Sequence, residues 1–300
     1  MSTRVAVLGT GRMGSAIAMR LAERGLDLVL WNRTGSRAES VGVGIVVATP
    51  ADAVEKADVV ITSLTGPEAL RATFTGSTGA LVAARGQIFI EMSTAGPDAL
   101  DELAPLVART GSTLLDAPLI GPPPSVIQGA ALIIAGGTPD AVERVRPILQ
   151  NLGELRHVGP FGSGARLKLV ANSMLGALVL IAAELETAAT GAGLDRGTTF
   201  EILTRLVPSL AVRRAGYLHD KHEPTLFALR DLRKDLDLAL NLFHRVDARV
   251  PLTALVREGI DEAATENADL DISAVIRRYA RSPGFGKQDW RVAPLFTPLA

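Results

Sequence analysis

The amino-acid sequence predicts an α/β fold, with a doubly wound parallel sheet over residues 1–161 and an all-helical domain over 162–300, joined by a long hinge helix. Three features carry that expectation. Short β-branched runs alternate with helical patterns through the first 150 residues, which places helices on both faces of a parallel sheet. The stretch Gly159-Pro160-Phe161-Gly162-Ser163-Gly164 then punctuates the chain. Beyond it, helical patterns and turns continue to about residue 281 with no convincing strand.

In chain order, strands are expected at 5–8, 28–31, 59–64, 88–91, 113–116 and 131–135. Helices are expected at 13–24, 68–73, 97–110 and 139–149, and the hinge helix from about 165 to 190. The boundary between the two parts falls near Phe161. The final segment, 282–300, carries prolines and aromatics, and the sequence leaves open whether it packs on a neighbour or is disordered.

Composition narrows the class. At 300 residues, each part is long enough to bury its own core. Hydrophobic residues at 47% and charged residues at 21% describe a compact globular chain and argue against disorder. The formal net charge is −1 and no long charged run occurs, so neither a nucleic acid nor a membrane surface is expected as partner. Cysteine is absent, which excludes disulfides, thiolate catalysis and cysteine-ligated metals, and is compatible with the cytoplasmic location expected here. The four histidines, His157, His219, His222 and His244, show no zinc spacing with carboxylates. No metal is expected, and His219 and His222 read as part of a polar turn. No signal peptide is read at the N-terminus. The apolar stretch 169–183, interrupted by Asn172 and bounded by Lys168 and Glu184, reads as a buried helix of a soluble chain.

The strongest local motif is Gly9-Thr10-Gly11-Arg12-Met13-Gly14, between an expected strand and an expected helix. In that setting Gly9 permits a tight turn, Gly11 lets backbone approach a pyrophosphate, and Gly14 lets the helix pack close to the strand. The helix N-terminus adds free N–H groups and partial positive charge. This is the signature of a Rossmann dinucleotide site. At the end of the second strand, where an NAD-binding chain carries an acid for the ribose hydroxyls, this sequence reads Asn32-Arg33-Thr34. A guanidinium there, with Arg37 one turn on, suits a 2′-phosphate, so NADP(H) is the expected cofactor. The other reading of both arginines is that of solvated loop residues.

Lys168 and Asn172 share one face of the hinge helix, and Gly164 and Gly176 extend the same stripe. A buried lysine can protonate an alkoxide, and desolvation lowers its pKa. A lysine snorkelling out of the helix N-terminus is the alternative, and spacing alone leaves both open.

The chain resembles the β-hydroxyacid dehydrogenases, which include 3-hydroxyisobutyrate dehydrogenase and semialdehyde reductases. The resemblance covers nearly the whole chain. It rests on the glycine motif, Glu91-Met92-Ser93-Thr94-x-x-Pro97, Asp116-Ala117-Pro118, Gly164-x-x-x-Lys168-x-x-x-Asn172 and Lys234-Asp235-Leu236. It implies that Lys168 is the catalytic acid and Asn172 its assistant, and that Ser93 and Thr94 lie beside nicotinamide and substrate. It further implies that Lys234 reaches toward the substrate, that Leu64 and Thr65 border the cofactor, and that the protein is a homodimer. Asn32-Arg33-Thr34 looks like the NADP-preferring members. One departure stands out. Where the family carries Ser-Gly-Gly after Asp-Ala-Pro and an aliphatic residue, this chain reads Ile120-Gly121-Pro122, which removes a hydroxyl and an N–H from the substrate pocket. Arg213 and Arg214 are either a carboxylate clamp from elsewhere or surface charges.

The leading expectation is therefore an NADPH-dependent oxidoreductase acting on a small-molecule carbonyl. Imine reductases are a related group and supply the runner-up, which the Ile120–Pro124 loop favours and a cationic Lys168 opposes. A non-catalytic dinucleotide-binding protein is the third reading.

Overall fold

The computed structural model describes residues 3–280, and the expectation for 282–300 lies outside the described residues. Through the sheet region the chain runs β1 (Arg4–Leu8), α1 (Arg12–Glu23), β2 (Asp27–Trp31), α2 (Gly35–Glu39), β3 (Ile45–Val46), α3 (Pro50–Glu55) and β4 (Val59–Thr62). It continues with α4 (Pro67–Phe74), α5 (Ala80–Ala83), β5 (Ile88–Glu91), α6 (Gly96–Ala108), β6 (Thr113–Asp116), β7 (Leu119–Ile120) and α7 (Pro123–Ile127). Then come β8 (Ala131–Gly136), α8 (Pro139–Leu149) and β9 (Gly153–Gly159). The helical part holds α9 (Ser163–Gly191), α10 (Arg196–Leu206), α11 (Arg214–His219), α12 (Leu229–Arg245), α13 (Pro251–Asn267) and α14 (Ile276–Ala280).

The strands form one sheet in the order β3-β2-β1-β4-β5-β6-β8-β7, with β9 on β8. Every pairing from β3 to β6 is parallel. Alternation along β1 shows why both faces are covered. Val5 and Val7 join Ile17, Leu21, Val142 and Leu149 on one face, while Ala6 and Leu8 join Leu70, Phe74, Leu100 and Val107 on the other. Strand order reverses between β1 and β4, the place where open α/β sheets bind ligands at their carboxyl ends.

The all-parallel expectation needs correction. β6 and β7 both pair antiparallel with β8, because α7 is a single short turn that sends the chain straight back. The two-residue strands β3 and β7 are too short to leave a periodic signal. β9 holds only exposed and half-buried positions over Gly153–Gly159, and it lacks the apolar run of the inner strands.

Contacts divide the chain into two compact units. The first holds Met1–Gly176 and Asp231–Arg257, the second Ala177–Arg230 and Glu258–Ala300. A boundary near Phe161 therefore differs from the contact division. The first half of α9 belongs with the sheet, because the carboxylate of Asp116 accepts hydrogen bonds from Gly162 N at 2.6 Å and Ala165 N at 2.8 Å. A residue at the end of β6 thus caps a helix that begins 47 positions later in sequence. Gly164 is required there, since a Cβ would meet Asp116 Oδ2 at 2.9 Å.

By length and composition α9 is sufficient to cross a membrane. Leu169, Asn172, Val179, Ala182, Ala183 and Glu186 along it are buried, while Leu167, Val170, Met174, Ile181 and Leu185 form an exposed apolar stripe.

The second unit is organised around Tyr217, whose hydroxyl donates to Val179 O at 2.7 Å and whose ring lies 5.4 Å from that of Phe200. Asp271 accepts from Leu226 N, Phe227 N, Ser273 N and Arg213 Nε, which ties the start of α12 to the segment before α14.

Candidate active site

The glycine motif sits where the sequence puts it. Gly9 has φ +98° and donates to Trp31 O at 2.8 Å. A Cβ on Gly14 would run into the carbonyl of Gly9, whereas one on Gly11 would meet nothing within 4 Å. Gly11 is the N-cap of α1 and has no side chain to satisfy the first amides of the helix. Beside it Thr10 is buried, and its Oγ1 has no hydrogen-bond partner among the described residues. Open space above Gly11, an unpaired buried hydroxyl and free helix amides fit a dinucleotide pyrophosphate. Met13 is partly buried against the sheet core, and Arg12 pairs with Asp231 of α12 at 3.0 Å.

Asn32 shapes the loop after β2. Its Oδ1 accepts from Thr10 N at 3.1 Å and its Nδ2 donates to Thr34 O at 3.0 Å, so it links the glycine loop to the next turn. Arg33, Thr34 and Arg37 are exposed, and neither guanidinium has an ion pair among the described residues.

A second group of residues converges on α9 and α12, within the first unit. Lys168 Nζ donates to Leu119 O at 2.7 Å, at the start of the loop that holds Ile120, Gly121 and Pro122. Asn172, one turn on, donates from Nδ2 to Asp235 Oδ2 at 2.5 Å. The other oxygen of Asp235 accepts from Lys234 Nζ at 2.5 Å, and Lys234 also donates to Thr94 O at 2.6 Å. Burial lowers the Lys168 pKa, Asp235 opposes that shift, and Lys234 adds to it. Burial raises Asp235, while Lys234, Lys168 and Asn172 pull it back toward the carboxylate. Snorkelling is thus not how Lys168 sits, since its ammonium turns inward to a backbone carbonyl. The inward stripe ends at Gly176, where a Cβ would press on Val256 at 3.2 Å.

Ser93 is buried, and its Oγ accepts from Leu64 N at 2.8 Å. Thr94 is partly buried and Thr65 exposed. In the substrate loop Ile120 is partly buried and Gly121 has φ +132°. Ser125 Oγ donates to Pro122 O at 2.7 Å, so that hydroxyl is already engaged.

Two readings change. Arg213 is neither a clamp nor a surface charge: it is buried and paired with Asp271 at 3.0 Å in the second unit. Arg214 is an exposed charge at the start of α11, as its second reading has it, with its guanidinium 5.9 Å over the Phe200 ring. His222 is not on a polar turn but buried, between Ser273 Oγ at 2.9 Å and Asp220 Oδ1 at 2.8 Å.

Sequence reasoning passed over Asp235 as a site residue. The signal was present, because Asp235 falls on the apolar stripe of α12 with Leu232, Leu236 and Ala239, all buried. A cavity of about 580 Å³ in the second unit is lined by Arg196, Tyr217, His219, Asp220 and Arg277 among others. Its arginines are committed to Glu186 and Asp220, so it offers no free charge for chemistry.

Residues 4–162 match the family described as the NAD binding domain of 6-phosphogluconate dehydrogenase. Residues 162–279 match the family described as NAD-binding of NADP-dependent 3-hydroxyisobutyrate dehydrogenase. Cytokine-like nuclear factor N-PAC of Danio rerio is 29% identical over 92% of this chain and 62% of its own length. This chain thus spans half to about three fifths of the N-PAC relatives it matches. The chloroplastic glyoxylate/succinic semialdehyde reductase 2 of Arabidopsis thaliana is 28% identical over 91% of this chain and 78% of its own. Among solved structures, a Mycobacterium tuberculosis 3-hydroxyisobutyrate dehydrogenase with L-serine aligns at TM-score 0.78 and 28% identity, covering 94% of this chain and 100% of that one. An imine reductase from Pseudomonas sp. shares the fold at TM-score 0.64 and 19% identity, covering 92% and 99%.

Proposed function

The chain belongs to the β-hydroxyacid dehydrogenase family, and on that premise we propose that it is an NADPH-dependent reductase of aldehydes or ketones with Lys168 as general acid. The observation that carries this reading is the inward lysine. Lys168 holds its ammonium against Leu119 O, beside the buried Asn172–Asp235–Lys234 chain of hydrogen bonds.

The dinucleotide would be held by Gly9, Thr10, Gly11 and the α1 amides at its pyrophosphate, by Asn32, Arg33, Thr34 and Arg37 at its 2′-phosphate, and by the Leu64-Thr65 and Ser93-Thr94 turns at its nicotinamide. When bound it supplies a hydride to the carbonyl carbon. Lys168 keeps a proton at Nζ for the carbonyl oxygen, which gains negative charge as the new C–H bond forms. Asn172 and Asp235 fix the position of that lysine's neighbours, and the Asp235 carboxylate favours the ammonium form that must donate. The neutral amine left after donation suits a desolvated site and is reprotonated from solvent.

The loop after β7 bears on substrate. Pro122, Pro123 and Pro124 have no N–H, Ile120 has no hydroxyl, and Ser125 is engaged. A substrate carboxylate would find few donors there, so uncharged carbonyl compounds are the favoured class. The same loop favours a second reading, reduction of an apolar imine. Two protomers are proposed to join through the exposed α9 stripe, which is apolar over five positions at helical spacing.

An NADPH-oxidation screen tests the reading, with carboxylated aldehydes set against neutral aldehydes, ketones and cyclic imines. Turnover of neutral carbonyls ahead of carboxylated ones is expected. Preference for a carboxylated aldehyde overturns the substrate class, and NADPH binding without any turnover overturns the enzyme.

A further inference from the structure

One face of α12 spans the carboxyl ends of three parallel strands. Asp231, Lys234 and Leu238 follow at helical spacing, so they share that face. Asp231 meets Arg12 of the glycine motif after β1, Lys234 meets the turns after β4 and β5, and Leu238 meets Gly96. These residues all belong to the first unit. The contacts differ in kind. On the β4 and β5 side α12 rests on backbone, because a Cβ on Gly66 would meet Lys234 Cδ at 3.2 Å and one on Gly96 would meet Leu238 Cδ2 at 3.0 Å. Lys234 Nζ also donates to Thr94 O at 2.6 Å. On the β1 side Arg12 Nη2 donates to Asp231 Oδ2 at 3.0 Å, and the two side chains are 41% and 28% exposed. The helix is thus packed on one bank of the crevice between β1 and β4 and tied to the other bank by an ion pair that water reaches.

We propose that the Arg12–Asp231 ion pair is a strap across this crevice, and that its opening sets the rate at which NADP(H) enters and leaves. This rests on the reading of the glycine loop as part of the cofactor site. Open α/β sheets take their ligand in the crevice at the strand-order reversal, which here lies between β1 and β4. Arg12 is the first residue of α1, at the helix end that suits the pyrophosphate, so a bond from its side chain to α12 crosses the crevice beside that group. An exposed ion pair contributes little to stability, but breaking it slows an opening step by a measurable factor. Asp231 acting as a bare charge would have the opposite sign. It would repel the phosphates and hasten their departure, so neutralising it would slow dissociation.

The test is stopped-flow fluorescence of NADPH leaving the full chain, chased with excess NADP+, in the unaltered protein, Asp231→Asn and Asp231→Glu. Each is measured at low salt and at about 1 M salt, where the screening length falls to about 3 Å. At low salt Asp231→Asn is expected to release NADPH about twofold to fivefold faster, the range for one exposed ion pair. Association should quicken as well, so that Kd moves less than either rate. Asp231→Glu keeps the charge and is expected to keep the slow release. The ratio of the Asp231→Asn rate to the unaltered rate should fall toward one at high salt. Equal or slower release from Asp231→Asn at low salt overturns the proposal. A faster release whose ratio salt does not reduce also overturns it, because altered packing of α12 then accounts for the change. Absence of NADPH binding by the unaltered protein overturns the cofactor reading and the strap together, whereas binding with equal release rates overturns the strap alone.

Discussion

Asn172 donates from Nδ2 to Asp235 Oδ2 at 2.5 Å, with both side chains buried. This bond joins two helices far apart in sequence and places a carboxylate where it acts on Lys168. The lysine lies below its ordinary value of about 10.4 through desolvation, and Asp235 limits how far it falls.

A pH dependence follows from that balance. The ammonium is the donating form, so kcat/KM for carbonyl reduction is expected to fall as pH rises through the folded-state value of Lys168. That alkaline limb should lie below the ordinary lysine range. Asp235→Asn removes the opposing charge and should move the limb about one unit or more further down. A pH–rate profile of both proteins checks this, and an unmoved limb would separate Asp235 from the lysine.

Cofactor choice rests on the loop after β2. Arg33 and Arg37 are exposed and without ion pairs among the described residues, and no acid stands at the ribose position. A charge-assisted contact to a 2′-phosphate contributes about 1.5–3 kcal/mol, so NADPH should bind at least roughly tenfold more tightly than NADH. Arg33→Ala should remove most of that difference. Equal dissociation constants in the unaltered protein, measured by calorimetry, would contradict the assignment.

The exposed stripe on α9 predicts self-association. Met174 is 60% exposed and Ile181 45%, well above what isolated apolar side chains need explaining, because they continue a line from Leu167 to Leu185. Light scattering at micromolar concentration should report a dimer, and Met174→Glu with Ile181→Glu should yield monomer. A monomeric unaltered protein removes the claim.

Much of this was legible in the sequence, for identifiable reasons. The inner strands carry continuous apolar runs, so 88–91 and 113–116 coincide with β5 and β6. The glycine motif could be assigned because backbone approach, which only glycine allows, leaves a mark on sequence. Long-range partners leave none. Asp116 capping α9, Leu119 O receiving Lys168 and Arg213 pairing with Asp271 each join residues 46 or more positions apart, and only folding brings them together. Asp235 was readable as an acid on an apolar helix face. Its hydrogen bonds to Asn172 and Lys234 were not.

Turnover by Lys168→Ala tests the central claim most directly, with a neutral aldehyde and a cyclic imine measured side by side and NADPH affinity as control. Loss of a general acid typically costs about 10²–10⁴ in rate, so kcat on the aldehyde should fall by that order. NADPH affinity should stay nearly constant, because Lys168 bonds to Leu119 O and not to the glycine loop. An imine can arrive already protonated, so its reduction should be unaffected or improved. Full aldehyde turnover by Lys168→Ala would contradict the account and leave the lysine as a structural residue of α9.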